Sequence, residues 1–241
     1  MPKEFRLPPF DLRLAMDTLA SRDPRLAPLI ASAPEFRIEV ETAGADTPYE
    51  VLLESIAYQS ISGKAAETIF NRVKALGTNG HAPTPEQMLK IPVRKLRKAG
   101  LSGAKVLAMK DLAKKTLQGV VPSRAEAETL SDDQLVSRLI SVRGVGAWTV
   151  EMFLIFRLGR PDVLPIHDLG VQKGFALAYN KRHIPKPKDL LKFGERWRPY
   201  RTVATWYLWR AVNQNPAQAR KITPAPAKKP RPKRKNSRKR P

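Results

Sequence analysis

Three tetrapeptides constrain this chain most. Thr47-Pro48-Tyr49-Glu50, Thr84-Pro85-Glu86-Gln87 and Ser131-Asp132-Asp133-Gln134 each set a hydroxyl residue three positions before Glu or Gln. This is the pattern in which a side-chain oxygen and the third residue's side chain satisfy each other's backbone N–H groups at a helix start. In the first two, proline follows the cap at the first helical position, where its missing N–H costs nothing. Apolar residues then recur at helical spacing: Leu52 and Ile56, with Gln59 on the same face, then Ala66, Ile69, Phe70, Val73 and Leu76 after Ser62-Gly63. No comparable run alternates with period two. The expected fold class is therefore all-α, with helices near 11–20, 24–31, 48–59, 63–76, 85–89, 93–99, 103–117, 132–141, 147–158, 168–179, 188–197 and 200–214. One extended piece, Phe36-Arg37-Ile38-Glu39-Val40, reads as a strand, but alone it cannot make a sheet. No repeat of solenoid period is present.

Charge narrows the function. The 241 residues carry a formal +22. Ten of the basic residues and no acidic one lie in 221–241, which leaves a formal +12 to residues 1–220. The folded part is thus basic in its own right, and a polyanion binds such a surface by releasing its own counterions. From Pro216 onward there is little to bury, so 216–241 is read as a disordered basic tail. Beyond Ile222 it has no large apolar side chain to insert beside its lysines, which argues against a membrane surface. No apolar run has the length of a signal peptide or a bilayer span, so a soluble protein is expected. With no cysteine, disulfides, thiolate zinc sites, a cysteine nucleophile and cysteine-held iron–sulfur clusters are excluded.

The segment with the most chemistry is Leu139-Ile140-Ser141-Val142-Arg143-Gly144-Val145-Gly146-Ala147-Trp148-Thr149-Val150, which reads as helix, tight turn, helix. Two glycines one residue apart let the backbone turn sharply and bring N–H groups up to a phosphate at the positive end of the next helix. An ordinary interhelical turn has the same local pattern. Downstream, Asp168 stands at an expected helix start, where the macrodipole and free N–H groups favour an anion.

Taken together, this hairpin, Leu164-Pro165-Ile166-His167-Asp168-Leu169-Gly170, Ala57-Tyr58-Gln59-Ser60-Ile61-Ser62-Gly63-Lys64, Gly100-Leu101-Ser102-Gly103-Ala104-Lys105 and Trp197-Arg198-Pro199-Tyr200 through Trp209 resemble the helix-hairpin-helix DNA glycosylases, in their 3-methyladenine DNA glycosylase II branch. The resemblance spans roughly residues 48–212. It implies two helical subdomains with a DNA cleft between them: 1–47 joined with 168–215, and 48–167 carrying the hairpin at 139–158. It implies excision of alkylated bases from double-stranded DNA with Asp168 as the catalytic carboxylate. Trp148, Met152, Trp209, Gln59 and Ser60 would contact the substrate, and Gly144, Gly146, Thr149 and Lys105 the DNA backbone. Met152 replaces an aromatic residue of a better-known relative. Ser60 falls where a bulky side chain often fills the gap left by a flipped nucleotide, and serine is too short, so the wedge is expected elsewhere. Strand-cutting members carry a Schiff-base lysine where this chain has Trp148, so a monofunctional hydrolase follows. No cofactor or structural metal is expected, with a monovalent cation in the hairpin left open. The protein is expected to act as a monomer in the cytoplasm at the nucleoid, or in a nucleus. A silent DNA-binding module and a glycosylase for deaminated or oxidised bases stay open as alternatives. His167 beside Asp168 is read as an exposed loop residue, and Lys105 reads equally well as a solvated lysine.

Overall fold

The computed structural model describes residues 5–6, 9–32, 40–41 and 47–224. The fold is all-α. Its helices are α1 (Leu12–Arg22), α2 (Ala27–Ser32), α3 (Pro48–Tyr58), α4 (Gly63–Lys74), α5 (Pro85–Lys90), α6 (Val93–Lys98), α7 (Gly103–Leu117), α8 (Arg124–Thr129), α9 (Asp132–Leu139), α10 (Ala147–Phe156), α11 (Leu169–Ala178), α12 (Pro187–Gly194), α13 (Arg201–Gln214) and α14 (Pro216–Lys221), with a 3-10 turn at Glu195–Trp197. All three expected capping boxes form, at the starts of α3, α5 and α9.

Three expectations need correction. Helix α8 was not anticipated, although Ser123 caps it by accepting from the N–H of Glu126 at 3.2 Å; the Ser-x-x-Glu signal is present, but six residues give too little periodicity to show. Residues 216–221 are helical rather than tail. Pro216 starts α14, and Ala219 and Ile222 are buried, while 225–241 lie outside the described residues. Finally, Val40–Glu41 (β2) does find a partner, pairing antiparallel with Phe5–Arg6 (β1). That partner is two residues long, too short to announce itself, and 36–39 lie outside the described residues.

One continuous apolar core runs through the molecule, and helix packing around it falls into two groups. In one, α7 packs against α3, α5 and α6, α3 against α4, and α9 against α10. In the other, α13 packs against α11, α1, α2 and α14, so the two ends of the described chain share one bundle. That bundle contains a buried carboxylate. Asp23, at the C-terminal end of α1 and 1% exposed, accepts from the hydroxyl of Tyr179 at 2.6 Å, the indole N–H of Trp197 at 2.9 Å and the N–H of Arg25 at 3.1 Å. Burial and the adjoining Asp23 push the Tyr179 hydroxyl far above the ordinary tyrosine value.

Candidate active site

The segment between α10 and α11 is fixed by α13, by Arg198 just before it and by α11 itself. Asp162 is paired with Arg201 at 2.8 Å and Arg198 at 2.6 Å, Thr202 accepts the N–H of Val163 at 2.9 Å, and the amide of Gln172 reaches back to the carbonyl of Ile166 at 2.7 Å. These contacts deliver Asp168 to the first position before α11, where its Oδ1 accepts from the N–H of Val171 at 2.7 Å. Two indoles complete its shell. Trp209 Nε1 donates to Oδ1 and Trp148 Nε1 to Oδ2, each at 2.8 Å. Asp168 is thus a helix cap and also an anion held by donors from α10, α11 and α13.

Both tryptophans present their N–H edges to the carboxylate. Trp209 also stacks on Phe156, ring centroids 5.9 Å apart at 15°, and Trp148 remains 49% exposed. Gly170 is what lets Trp209 in: a Cβ there would lie 2.9 Å from the Trp209 ring and 3.0 Å from Asp168 Oδ1. Adjoining this cluster is a cleft of about 370 Å³ lined by Phe156, Gly170, Trp206, Trp209, Arg210 and Asn213 among others, a size usual for small-ligand sites.

The hairpin turn lies between α9 and α10. Gly144 sits at φ +78°, the left-handed region open to glycine, and even a Cβ there would press on Ala108 of α7 at 3.2 Å. Gly146 starts α10 with no side-chain cap and with open space where a Cβ would be, so the first-turn N–H groups of Ala147 and Trp148 have no side-chain acceptor. The turn is braced from outside. Asp111 on α7 accepts the N–H of Arg143 at 2.7 Å, and Lys115 bridges Asp111 at 3.1 Å and the carbonyl of Ser141. Burial would raise the Asp111 carboxyl, but the Arg143 N–H and Lys115 outweigh it and hold it below the ordinary carboxylate value.

The remaining candidates scatter. Gln59 donates its amide to the carbonyl of Gly144 at 2.8 Å, holding the hairpin rather than pointing away from it. Lys105 donates to the carbonyl of Ala57 at 2.7 Å, which ties α7 to the end of α3, and burial pulls its ammonium below the usual lysine value. Thr149 is 7% exposed, and Met152 is partly buried, packed against the core. Ser60 is exposed at φ +59° in the turn after α3, between Tyr58 (36% exposed) and Ile61 (39% exposed). Among the described residues no group of three or more His, Asp or Glu could hold a metal ion. Sequence reading gave no role to Gly170, to Phe156, to the Asp111–Lys115 brace, or to Glu151, whose buried Oε2 has no hydrogen-bond partner among the described residues. Gly170 carried a signal, a glycine two residues after the candidate carboxylate; the others had none that periodicity could expose.

With the geometry in place, the comparisons agree with one another. Residues 53–199 match the HhH-GPD family, described as the HhH-GPD superfamily base excision DNA repair protein. The chain is 42% identical over 163 residues to DNA-3-methyladenine glycosylase 1 of Schizosaccharomyces pombe, covering 68% of this chain and 72% of that protein. The solved 3-methyladenine DNA glycosylase of S. pombe in complex with abasic DNA superposes with a TM-score of 0.73 at 36% identity, over 83% of this chain and 97% of the other. A DNA-3-methyladenine glycosidase from Bacillus halodurans superposes with a TM-score of 0.76 at 32% identity, over 84% and 91%. Hairpin, carboxylate and family match coincide in one stretch of sequence, and this chain belongs to the HhH-GPD superfamily of base excision DNA repair proteins.

Proposed function

We propose that the chain is a monofunctional DNA glycosylase that hydrolyses the N-glycosidic bond of alkylated bases in double-stranded DNA and leaves an abasic site. The observation that carries this reading is Asp168, a carboxylate fixed by three N–H donors yet flanked by the half-exposed Trp148. Breaking the bond between base and sugar builds positive charge on the deoxyribose. A preorganised carboxylate stabilises that charge and orients the attacking water, whose proton passes to solvent or to the departing base. Alkylation makes the base a good leaving group, so one carboxylate suffices. No amine stands at Trp148, so the sugar is released to water and not to a Schiff base.

The rest of the molecule supplies the contacts to DNA. The extruded base enters the cleft walled by Trp209, Phe156 and Trp206, and the uncapped start of α10 takes a backbone phosphate. The duplex lies between the group of helices containing α3 and α7 and the group containing α11 and α13. Ile61, exposed beside the undersized Ser60, fills the gap left in the base stack. No step needs a cofactor; a monovalent cation at the hairpin would act only by drawing the phosphate closer. The protein acts as a monomer wherever the DNA is, nucleoid or nucleus, and its basic 221–241 segment adds affinity that does not depend on sequence.

The test is a panel of duplexes, each with one modified base, assayed for released free base and for trapping by borohydride. Release from alkylated duplexes, strand breaks only after alkali and no trapped adduct are expected. Release confined to deaminated or oxidised bases would move the substrate class. No release from any duplex that binds would leave a silent binding module.

A further inference from the structure

Glu151 is a carboxyl that the scheme above leaves unused. It stands on α10 three residues after Trp148, so the two side chains share one face of the helix, and the Trp148 indole is bonded to Asp168. Its Oε2 is buried without a hydrogen-bond partner among the described residues, a costly environment for an ionised oxygen. Burial first, and the negative charge of Asp168 second, push its carboxyl up to about 7. Other charges on the helices packed against α10 are engaged or exposed. On α3, Glu54 faces Arg157 at 3.5 Å and Glu50 belongs to the Thr47 capping box. On α9, Asp132 faces Arg160 at 3.5 Å, Arg138 is paired with Glu126 at 2.6 Å, and Asp133 is exposed. Glu41 stands on β2, and the exposed His167 precedes Asp168. Among the described residues, the charge that acts on Glu151 is that of the proposed catalytic carboxylate.

We propose that Glu151 sets the charge of the Asp168 site: in mildly acidic solution it keeps its proton beside the free carboxylate and releases it to solvent when a positive charge is brought in front of Asp168. Under those conditions a cationic ligand meets two carboxylates and an uncharged ligand meets one. Glu151 acts through Asp168 and is a positioning residue for charge, making the site selective for alkylated bases that carry a positive charge and for the cationic sugar that forms as the bond breaks. The inference rests on the reading of the site as one that handles such cations.

The sign follows from linkage. A ligand that favours ionised Glu151 binds more tightly as pH rises, and the gain levels off above the value of the free protein, about 7. The experiment uses the full chain and two duplexes, one with a protonated pyrrolidine in place of the target sugar and one with an uncharged tetrahydrofuran. Their affinities are measured from about pH 5.5 to about pH 8 at constant ionic strength, and the ratio cancels the general effect of histidine charge on DNA binding. In the wild type the ratio should rise on the order of tenfold and flatten above about pH 7. Glu151→Gln and Glu151→Met, two uncharged replacements of similar size, should each reduce the rise to less than about twofold. Binding of the pyrrolidine duplex should also release a proton in the wild type alone, read from the dependence of binding heat on buffer. A flat ratio in the wild type, or the same rise in a folded variant, overturns the proposal. Base release from alkylated duplexes tests the substrate reading separately: its absence with the pH-dependent ratio intact sinks that reading and leaves the role of Glu151 standing.

Discussion

Two aspartates in this protein share one local chemistry and differ in surroundings. Asp23 and Asp168 each end or begin a helix, and each accepts an indole N–H at 2.9 Å and 2.8 Å respectively, plus at least one further donor. Asp23 is sealed inside the bundle of chain ends, with both Trp197 and Asp23 at most 1% exposed. Asp168 has Trp148 half open to solvent on one side and the cleft behind Trp209 nearby. An indole-bonded carboxylate is thus not in itself a reactive site. Buried on every side, it joins elements; left with one accessible face, the same arrangement offers a fixed negative charge to whatever binds there.

Exchanging the charge should separate the two. Asp168→Asn keeps size and capping capacity, so the fold should persist while single-turnover excision falls on the order of 10²–10⁴-fold. The comparison breaks if this variant is folded and excises every accepted base at the wild-type rate. Asp23→Ala should act the other way. It strands the Tyr179 hydroxyl and the Trp197 N–H in the interior, which should lower unfolding stability by about 1–3 kcal/mol in a urea titration. Excision per folded molecule should be unchanged, and a selective loss of activity would show that Asp23 reaches the site.

The indoles sharpen the contrast. Trp148→Phe keeps a ring but removes one donor to Asp168, and excision should drop on the order of tenfold with little change in melting temperature. Trp197→Phe should lower the melting temperature by a few degrees, about what a loss near 1 kcal/mol gives, and leave the excision rate alone. If both lose activity equally, the difference in exposure is not what separates the aspartates. The smallest effect concerns binding without chemistry. A carboxylate close to phosphates repels DNA, so Asp168→Asn should bind an abasic duplex up to about threefold more tightly at low salt, whereas Asp23→Ala should bind it as the wild type does.

The residues differ in how far the sequence alone reveals them. Capping boxes at Thr47, Thr84 and Ser131, the tight turn at Gly144 and Gly146, and the helix start at Asp168 were legible because each is a contact between residues three or four apart, whose geometry the backbone itself imposes. The short helices at 124–129 and 216–221 were not, because one or two turns carry too little periodicity and are held by burial of residues such as Ala127, Ala219 and Ile222. The sequence put Trp148, Trp209, Gln59 and Asp168 among the candidates, but it could not say what their side chains touch. Gln59 meets a carbonyl 85 positions away, the two indoles meet Asp168 across 20 and 41 positions, and Asp23 meets Trp197 across 174. Those pairings depend on the angles and offsets at which helices pack, which side-chain interdigitation across the whole core decides. So the chain's local pattern determined an all-α protein with a glycine turn and an aspartate at a helix start, while only the tertiary structure decided that one aspartate is enclosed and the other left open.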